Sequence, residues 1–446
     1  MDPITVGIIG FICVLLLLAI RVPIAFAMAG VAIICTFYFY AMRTGDFMPL
    51  RALRPTMSLI YGNTFELMHS YELSMIPLFV LLGHVAYHTG LTGDIYAAAR
   101  LWLARVPGGV AMASVIGCGG FSAITGSSIA CASAMGRICT PEMLRLGYDP
   151  KLATSSVAVG GTLGSLIPPS VLFIIYGIFT ETSINSLFLA GVLPGLLSLI
   201  GFLIVIYIWV RLDPKAGPAP KEKTGASERW RVLFRTWPAL VLFSIIIGGI
   251  YGGVFTATEA AAIALTTTVL ISLFRRALSW DNFLESVKDT CIQTAQIFFI
   301  AAGAKMFVGF VALTGMAPAL VSFIDPSQTP VWIFLLSLVL VYICLGMFLD
   351  PLGIMVLTLP FAVPLVETYG LNLIWFGVVV VKLLEIGLIT PPVGLNVFVI
   401  GNVIDGKVPI SKIFAGVTRF LAMDVIVLAL IVVFPVISLF LVTTMR

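Results

Sequence analysis

Two proline pairs, each inside an apolar run long enough to cross a bilayer, point most directly to chemistry in this sequence. The first pair is Pro168 and Pro169, and the second is Pro391 and Pro392. Adjacent prolines remove two backbone donors and clash with the preceding turn, so each pair must break its helix. In hydrocarbon, the freed carbonyl and amide groups are tolerated only where they are buried in protein or line a cavity. Two broken helices at matching places in two halves of a chain are typical of a transporter's binding site.

An internal repeat relates the two breaks. The proline pairs lie 223 residues apart, and at the same offset Pro107 matches Pro330 and Pro141 matches Pro364. These matches fall in one window without gaps, which indicates a real repeat rather than a chance coincidence of prolines.

Each half of the chain is predicted to contain apolar spans, a helical hairpin and a broken helix, because the hairpin and the broken helix recur at this offset and the second half repeats the plan of the first. Hairpins are predicted where helical stretches on each side of an interruption are too short to span, at about 20 residues per crossing. The first half, 1–210, comprises spans near 4–20, 22–40, 73–91 and 187–210, an amphipathic interlude at 43–72, an arm helix at 93–105, the hairpin 108–140 and the broken helix 148–183. A polar, cytoplasmic linker is predicted at 211–235. The second half, 236–446, comprises spans near 236–252, 255–274, 291–313 and 416–443, an amphipathic piece at 279–289, the hairpin 331–364 and the broken helix 371–403.

Composition places the chain in the membrane. Hydrophobic residues make up 60% of the sequence and charged residues only 10%, which a soluble domain of this length does not show. The seven cysteines have no CxxC spacing, so neither disulfides nor a metal site is expected from them. The segment 401–407 imitates a nucleotide-binding loop but lacks the following Ser or Thr, and no other enzyme or nucleic-acid motif occurs. The sequence predicts neither an enzyme nor a nucleic-acid-binding protein.

A first candidate ion site lies where the first hairpin meets the first break. Its tip is rich in hydroxyls and small residues, and the break offers unpaired carbonyls, which together suit a Na⁺ site of neutral oxygen ligands. The alternative is close helix packing, for which small residues are common in membranes. The candidate residues are Ser122, Thr125, Gly126, Ser127 and Ser128 on the hairpin, and Gly161, Thr162, Gly164, Ser165 and Pro168 at the break.

A second candidate ion site is predicted at the equivalent place in the second half. Asp350 occupies the repeat position of Ser127, and a carboxylate deep in an apolar stretch is costly and usually functional. Alternatively, Asp350 caps the helix that begins at Pro351. The candidate residues are Asp350 with Ile389, Thr390, Pro391, Gly394 and Asn396, and a second Na⁺ is expected between Asp350 and 389–394.

Other polar residues in apolar runs admit structural interpretations. Lys382 and Glu385 lie three residues apart on one helix face and are expected to form a mutually neutralising intramembrane pair. Lys305 has no partner nearby in sequence; it would snorkel, pair with another subunit or attract an anionic substrate. His84 and His88 share a helix face, but a metal site is not expected without a third ligand nearby.

Orientation follows from the Lys and Arg residues of short loops, which favour the cytoplasmic side. With both termini outside, the basic loops at 100–105, 137–151, 211–235, 275–276 and 407–412 all fall inside. The two hairpins then enter from opposite faces, which predicts an inverted repeat. Arg43, Arg51 and Arg54 fall outside and disagree, unless they lie on an interfacial amphipathic helix or an early span is miscounted.

Several of these segments also resemble a known family. The stretches 106–111, 125–130, 166–170, 256–260 and 385–396 are similar to those of the large, DctM-type membrane subunit of tripartite ATP-independent periplasmic (TRAP) transporters. The last of them, EIGLITPPVGLN, is highly specific, and the similarity runs through nearly the whole chain.

The resemblance implies an all-α polytopic membrane protein, an inverted-repeat elevator-type transporter with two re-entrant hairpins and two broken helices. It implies secondary transport in the bacterial inner membrane, with Na⁺ as coupling ion and no other cofactor. The implied partners are a soluble periplasmic substrate-binding protein and a small four-helix membrane subunit. The small subunit is expected to be a separate polypeptide, because this chain starts at its first span. The implied substrates are small organic anions with a carboxylate, such as C4-dicarboxylates, keto acids, sialic acid and sugar acids.

Two other interpretations compete with that of a TRAP transporter subunit. A stand-alone carboxylate/cation symporter would have related architecture and need no binding protein. A membrane scaffold or enzyme would leave the paired broken helices unexplained.

Overall fold

The computed structural model describes residues 2–43, 46–218, 225–324 and 329–445, and the regular structure in these ranges is entirely helical. A 3₁₀ turn, Tyr71–Ser74, precedes α4, and a π-helical segment, Ser244–Gly248, joins α12 to α13. The α-helices are α1 Pro3–Ala19, α2 Ile24–Ala41, α3 Pro49–Met68, α4 Met75–His88, α5 Leu91–Leu103, α6 Gly109–Thr125, α7 Ser128–Arg145, α8 Pro150–Leu166, α9 Val171–Thr180, α10 Ile184–Leu212, α11 Ala226–Phe234, α12 Trp237–Phe243, α13 Gly249–Tyr251, α14 Ala257–Phe274, α15 Trp280–Thr314, α16 Met316–Phe323, α17 Val331–Gly346, α18 Pro351–Thr368, α19 Leu373–Ile389, α20 Leu395–Val403, α21 Ile410–Val433 and α22 Val436–Thr444.

The lengths and composition of these helices fit a membrane. Over the described residues, there are seven segments long and apolar enough to cross a bilayer, of which six are single helices and one is the broken pair α8 and α9. The number rises to nine if two sharply bent helix pairs each form one span. Large apolar side chains also lie exposed at helical spacing, as Ile200, Ile204 and Ile208 do on α10. Such a stripe is tolerated where lipid replaces water, so the chain is a multi-pass membrane protein.

Prolines and small polar residues set several helix starts. Pro150 occupies the first turn of α8, and the Asp149 carboxylate before it accepts a hydrogen bond from the Lys151 amide at 2.7 Å. Ser170 caps α9 and Ser183 caps α10 in the same manner. These caps satisfy amides that have no partner within the helix.

Contacts divide the chain into two compact units. The first unit comprises Met1–Ser74, Ile292–Leu340 and Leu352–Leu373, and the second comprises Met75–Cys291, Val341–Pro351 and Ile374–Arg446. Each unit draws on both predicted halves of the sequence, so the units do not coincide with 1–210 and 236–446. The two-half repeat therefore stays a prediction from the sequence.

The second unit has a densely packed core. Fully buried side chains from several helices form it, among them Val115 of α6, Met135 of α7, Val159 of α8, Phe202 of α10 and Phe420 of α21. Glycines on α8 allow the close approach: a Cβ at Gly160 would lie 2.9 Å from the sulfur of Cys118. Small residues thus allow close helix packing in this unit, as they commonly do in membrane proteins.

Four predicted elements run differently in the structure. The amphipathic piece 279–289 and the span 291–313 form the single helix α15, because no proline interrupts them. The predicted last span divides into α21 and α22, since Pro435 breaks the helix after Phe434. The return helix of the first hairpin does not end at Pro141 but runs through it to Arg145, as transmembrane helices can.

The polar segments also contain helices. Within the interlude 43–72 lies α3, on which Arg51 and Arg54 are exposed, as on an interfacial helix, and residues 44 and 45 lie outside the described residues. Within the predicted linker 211–235 lies α11, and residues 219–224 of that linker lie outside the described residues. The terminal residues 1 and 446, predicted to face outside, also lie outside the described residues.

Candidate functional site

The first hairpin tip is a short break between α6 and α7. Gly126 ends α6 with a φ of 63°, a left-handed conformation that glycine adopts without steric cost. Ser127 then caps α7, and its hydroxyl accepts a hydrogen bond from the Ala130 amide at 3.4 Å. The chain therefore reverses here because a permissive residue is followed directly by a helix-starting one.

The structure brings this tip against the first break. A Cβ on Gly164 of α8 would lie 2.7 Å from the Ser127 carbonyl oxygen and 2.9 Å from the Ser128 nitrogen. A Cβ on Gly126 would collide with the carbonyl of Pro169, and the Val171 amide donates to the Gly126 carbonyl at 3.4 Å. Backbone thus meets backbone at this place, which only glycine permits.

The hydroxyls around the tip keep oxygen lone pairs available. They donate to carbonyls of their own helices three or four residues earlier, Ser122 at 2.6 Å, Thr125 at 3.2 Å and Thr162 at 2.7 Å. A hydroxyl that donates its proton keeps two acceptor lone pairs. Around them, Ser165 and Pro168 are buried, and a Cβ on Gly161 would lie 2.8 Å from the Cβ of Ala132.

Asn396 connects the second broken helix to the first tip. Its amide nitrogen donates to the Ser128 hydroxyl at 2.9 Å and to the Ala158 carbonyl at 3.1 Å. The side chain is fully buried, and its amide oxygen has no hydrogen-bond partner among the described residues. A buried oxygen without a partner costs about 1–3 kcal/mol, and this atom keeps the capacity to accept a hydrogen bond or to bind a cation.

The second break differs from the first in exposure. Residues 161–170 are buried throughout, whereas Pro391 and Pro392 are exposed. Ile389 is buried, and Thr390 is half-buried and donates from its hydroxyl to the Ile386 carbonyl at 2.6 Å. The two breaks are equivalent in sequence but therefore differ in how far they are buried.

Short backbone contacts also position the second break. Gly394 opens α20 with a φ of 55°. A Cβ on Gly387 would lie 2.8 Å from the α-carbon of Gly346, so α19 packs closely against the end of α17. Asp350, four residues further on, is half-buried and takes part in an interaction of its own.

The predicted pair of Lys382 and Glu385 is part of a larger buried cluster. The Lys382 ammonium lies 3.4 Å from Glu385, but only 2.6 Å from the carboxylate of Asp424 on α21. It also donates to the Ser198 hydroxyl of α10 at 3.0 Å. All three charged side chains have no exposed area. Lys382 therefore connects α19 to α10 and α21. The predicted pair was incomplete, because Lys382 has Asp424 as a second and closer carboxylate partner.

Sequence reasoning missed Asp424, although a signal was present. Asp424 is an acid inside an apolar run, which by default marks a functional or paired residue. What the sequence lacked was the distance between α19 and α21. One oxygen each of Glu385 and Asp424 has no partner among the described residues, so the cluster keeps acceptor capacity.

Lys305, which had no partner nearby in sequence, pairs within the first unit. Its ammonium lies 3.1 Å from the carboxylate of Glu66 on α3. The Glu66 side chain is 65% exposed, so this ion pair contributes little to stability.

Both the sequence and the structure of the chain have relatives among known proteins. A sequence model of the family described as "Tripartite ATP-independent periplasmic transporter, DctM component" matches residues 11–437. The chain is 34% identical over 384 residues to the C4-dicarboxylate TRAP transporter large permease protein DctM of Pseudomonas aeruginosa, covering 84% of this chain and 87% of that protein. It is 32% identical over 369 residues to the sialic acid TRAP transporter large permease protein SiaM of Vibrio cholerae, covering 82% and 85%.

A solved structure resembles the fold. The YdaH transporter of Alcanivorax borkumensis superimposes with a TM-score of 0.60 at 15% sequence identity, over 87% of this chain and 90% of that chain. This likeness concerns the fold alone. The family model and the relatives confirm the resemblance of the sequence motifs, and the relatives are named as permeases rather than enzymes. The chain belongs to the DctM-component family of tripartite ATP-independent periplasmic transporters.

Proposed function

We propose that this chain is the large permease of a Na⁺-coupled uptake system in the bacterial inner membrane, which receives a small organic acid from a periplasmic binding protein. Family membership supports transport that depends on a periplasmic component. The two relatives described above are named for C4-dicarboxylates and for sialic acid. Both compounds carry carboxylates, so a carboxylate is the shared chemistry that we assign to the substrate.

The observation that carries Na⁺ coupling is the unpartnered amide oxygen of Asn396. It is buried beside the Ser128 hydroxyl, at the contact between the first tip and α8. An alkali cation is bound by several neutral oxygens, and orphaned buried oxygens provide such ligands. Three of the predicted ligands, Ser127, Ser128 and Gly164, lie at the same contact.

The helix ends near the first tip also favour the binding of a cation. The half-helices α6 and α8 both end close to the tip, at Thr125 and Leu166. The C-terminal end of a helix carries about half a negative charge, which attracts cations. The half-helices α7 and α9 begin nearby, and their positive ends favour a substrate carboxylate. We assign the second Na⁺ to Asp350 with 389–394, as its repeat equivalent.

The rest of the proposal follows the family. The partners are a small four-helix membrane subunit and the binding protein, and both termini face the periplasm. An elevator mechanism is part of this proposal, as the resemblance of the sequence to the family implies.

The proposal is tested by reconstitution. Proteoliposomes that contain this chain and its small subunit are expected to take up labelled substrate only when Na⁺ and the cognate binding protein are both outside. Rapid, saturable uptake of free substrate by the purified chain alone would instead favour the stand-alone symporter. Uptake that persists without any Na⁺ gradient would reject Na⁺ coupling.

Replacing Asn396 with leucine is expected to raise the half-saturating Na⁺ concentration by about tenfold or more. A polar contact to a charged group contributes about 1.5–3 kcal/mol, and the variant loses such a contact to the ion. The physical reason is the loss of the Asn396 amide oxygen, which is buried beside the Ser128 hydroxyl. Uptake measured against Na⁺ concentration at a fixed concentration of loaded binding protein reports this change.

The matched control is Asn402→Leu, which makes the same change on the same helix α20 at an exposed side chain. It should leave the Na⁺ dependence as in the unmodified chain. An unchanged Na⁺ dependence in Asn396→Leu would show that its amide oxygen holds no coupling ion.

A further inference from the structure

The last turns of α4 and the beginning of α15 bring together three side chains that the transport site does not use. His84 and His88 lie four residues apart and therefore share one face of α4. The sequence supplied no third ligand near them, but the fold places Asp289 of α15 beside both. One ligand atom from each of the three side chains lies within 4.8 Å of the other two.

This separation is close to that of a metal site. Three atoms within 4.8 Å of one another have a common point no more than about 2.8 Å from each. Zinc binds histidine nitrogen and carboxylate oxygen at about 2.0–2.2 Å in a tetrahedral arrangement. Each donor therefore needs to approach the centre by less than about 1 Å, which small side-chain rotations provide.

The position in the fold makes the site reachable. All three side chains are half-buried, so a hydrated cation can reach them. Beyond the end of α4, Asp94 of α5 pairs with Arg275 at 2.7 Å, and both side chains are partly exposed. Charged groups at this end of the helices place the three donors near water rather than deep in hydrocarbon.

We propose that His84, His88 and Asp289 bind one divalent transition-metal ion, which joins α4 to α15. Two imidazoles and one carboxylate favour Zn²⁺, Co²⁺, Ni²⁺ or Cu²⁺ over Mg²⁺ and Na⁺, which prefer all-oxygen sites. Three protein ligands leave the fourth tetrahedral position to water. The site is separate from the Na⁺ sites proposed for transport and does not depend on them.

Binding is tested with Co²⁺ and Zn²⁺ on the full chain, purified in detergent with an affinity tag that contains no histidine. Co²⁺ is expected to give the visible absorption of a tetrahedral site at one ion per chain, which Zn²⁺ displaces. Zn²⁺ should also raise the midpoint of thermal unfolding, because the ion binds only the folded chain.

Each of the variants His84→Ala, His88→Ala and Asp289→Asn is expected to weaken Co²⁺ binding by at least about tenfold, since even partners of metal ligands matter by that factor. The Asp289→Asn change preserves side-chain shape, so it remains informative if a histidine variant does not fold.

Three controls sharpen the result. The chain contains three histidines, so His69→Ala removes the one that lies outside the site, and it should leave binding unchanged. Asp281→Asn alters an exposed acid on the same helix α15 and should have no effect. Cys291→Ser tests the exposed thiol two residues beyond Asp289.

The proposal fails if folded chain takes up no Co²⁺, because the three side chains then form only a hydrogen-bonded polar cluster. It also fails if binding survives in the three ligand variants, or if it is lost in His69→Ala or Cys291→Ser. Since these readouts measure binding and not uptake, they are independent of the proposed transport activity.

Discussion

The variant Lys382→Met is expected to lower the free energy of unfolding by about 3–5 kcal/mol, because removing one partner of a buried ion pair leaves an uncompensated buried charge. Lys382 is the cation that faces Asp424 at 2.6 Å and Glu385 at 3.4 Å, with no exposed area on any of the three side chains. Without it, two carboxylates remain buried close together. A large fall in the midpoint of thermal unfolding of the detergent-solubilised chain is the expected measurement.

Two comparisons separate this effect from a general loss of a lysine. The double variant Lys382→Met/Asp424→Asn removes both charges of the 2.6 Å ion pair. It should recover much of the lost stability, because replacing both members of a buried ion pair is often neutral or stabilising. Lys412→Met makes the same substitution at an exposed lysine of α21 and should change stability little. If the single and double variants are equally unstable, packing of the lysine stem rather than charge pairing holds α19 in place.

The variant Gly164→Ala is expected to reduce Na⁺-driven uptake by at least about tenfold, the effect of roughly 1.4 kcal/mol on a rate. The added methyl group would lie 2.7 Å from the Ser127 carbonyl oxygen and 2.9 Å from the Ser128 nitrogen. Because both atoms belong to the backbone, the tip must move away from α8, and overpacking of this kind costs about 1–3 kcal/mol. Initial uptake rates with saturating binding protein measure the loss.

The control is a glycine with free space around it. At Gly93 of α5, no atom lies within 4 Å of an added Cβ, so Gly93→Ala should keep uptake and gain slightly in stability. Normal uptake by Gly164→Ala, with the protein inserted and folded, would mean that the close approach of the tip and α8 is not needed for transport.

The charge cluster around Lys382 and the first tip are connected through the second broken helix. Lys382 and Glu385 lie on α19, which leads directly into the second break, and Asn396 begins the next helix, α20. Through Asn396, that broken helix reaches the first tip at Ser128. The charge cluster thus fixes the helix that delivers an oxygen to the first candidate ion site.

Local chemistry determined much of what the sequence alone could predict. The breaks at 167–170 and 390–394 follow from proline pairs, which end helices wherever they occur. The tip between α6 and α7 follows from Gly126 and Ser127, whose helix-ending and helix-starting preferences are local. The membrane class follows from the apolar composition alone. The orientation of the termini, the re-entrance of the hairpins and the Na⁺ sites stay predictions.

Distances between segments that are remote in the chain were decided only by the tertiary structure. No periodicity in the sequence relates Asp424 to Lys382, Asn396 to Ser128 or Asp289 to His88, since helix packing brings each pair together. The same packing buries the first proline pair and leaves Pro391 and Pro392 exposed, although the two motifs match in sequence. The sequence by itself therefore determined the two breaks at the proline pairs, the first tip and the membrane class. The fold decided which polar groups meet, because partners across helices depend on packing and not on spacing along one helix.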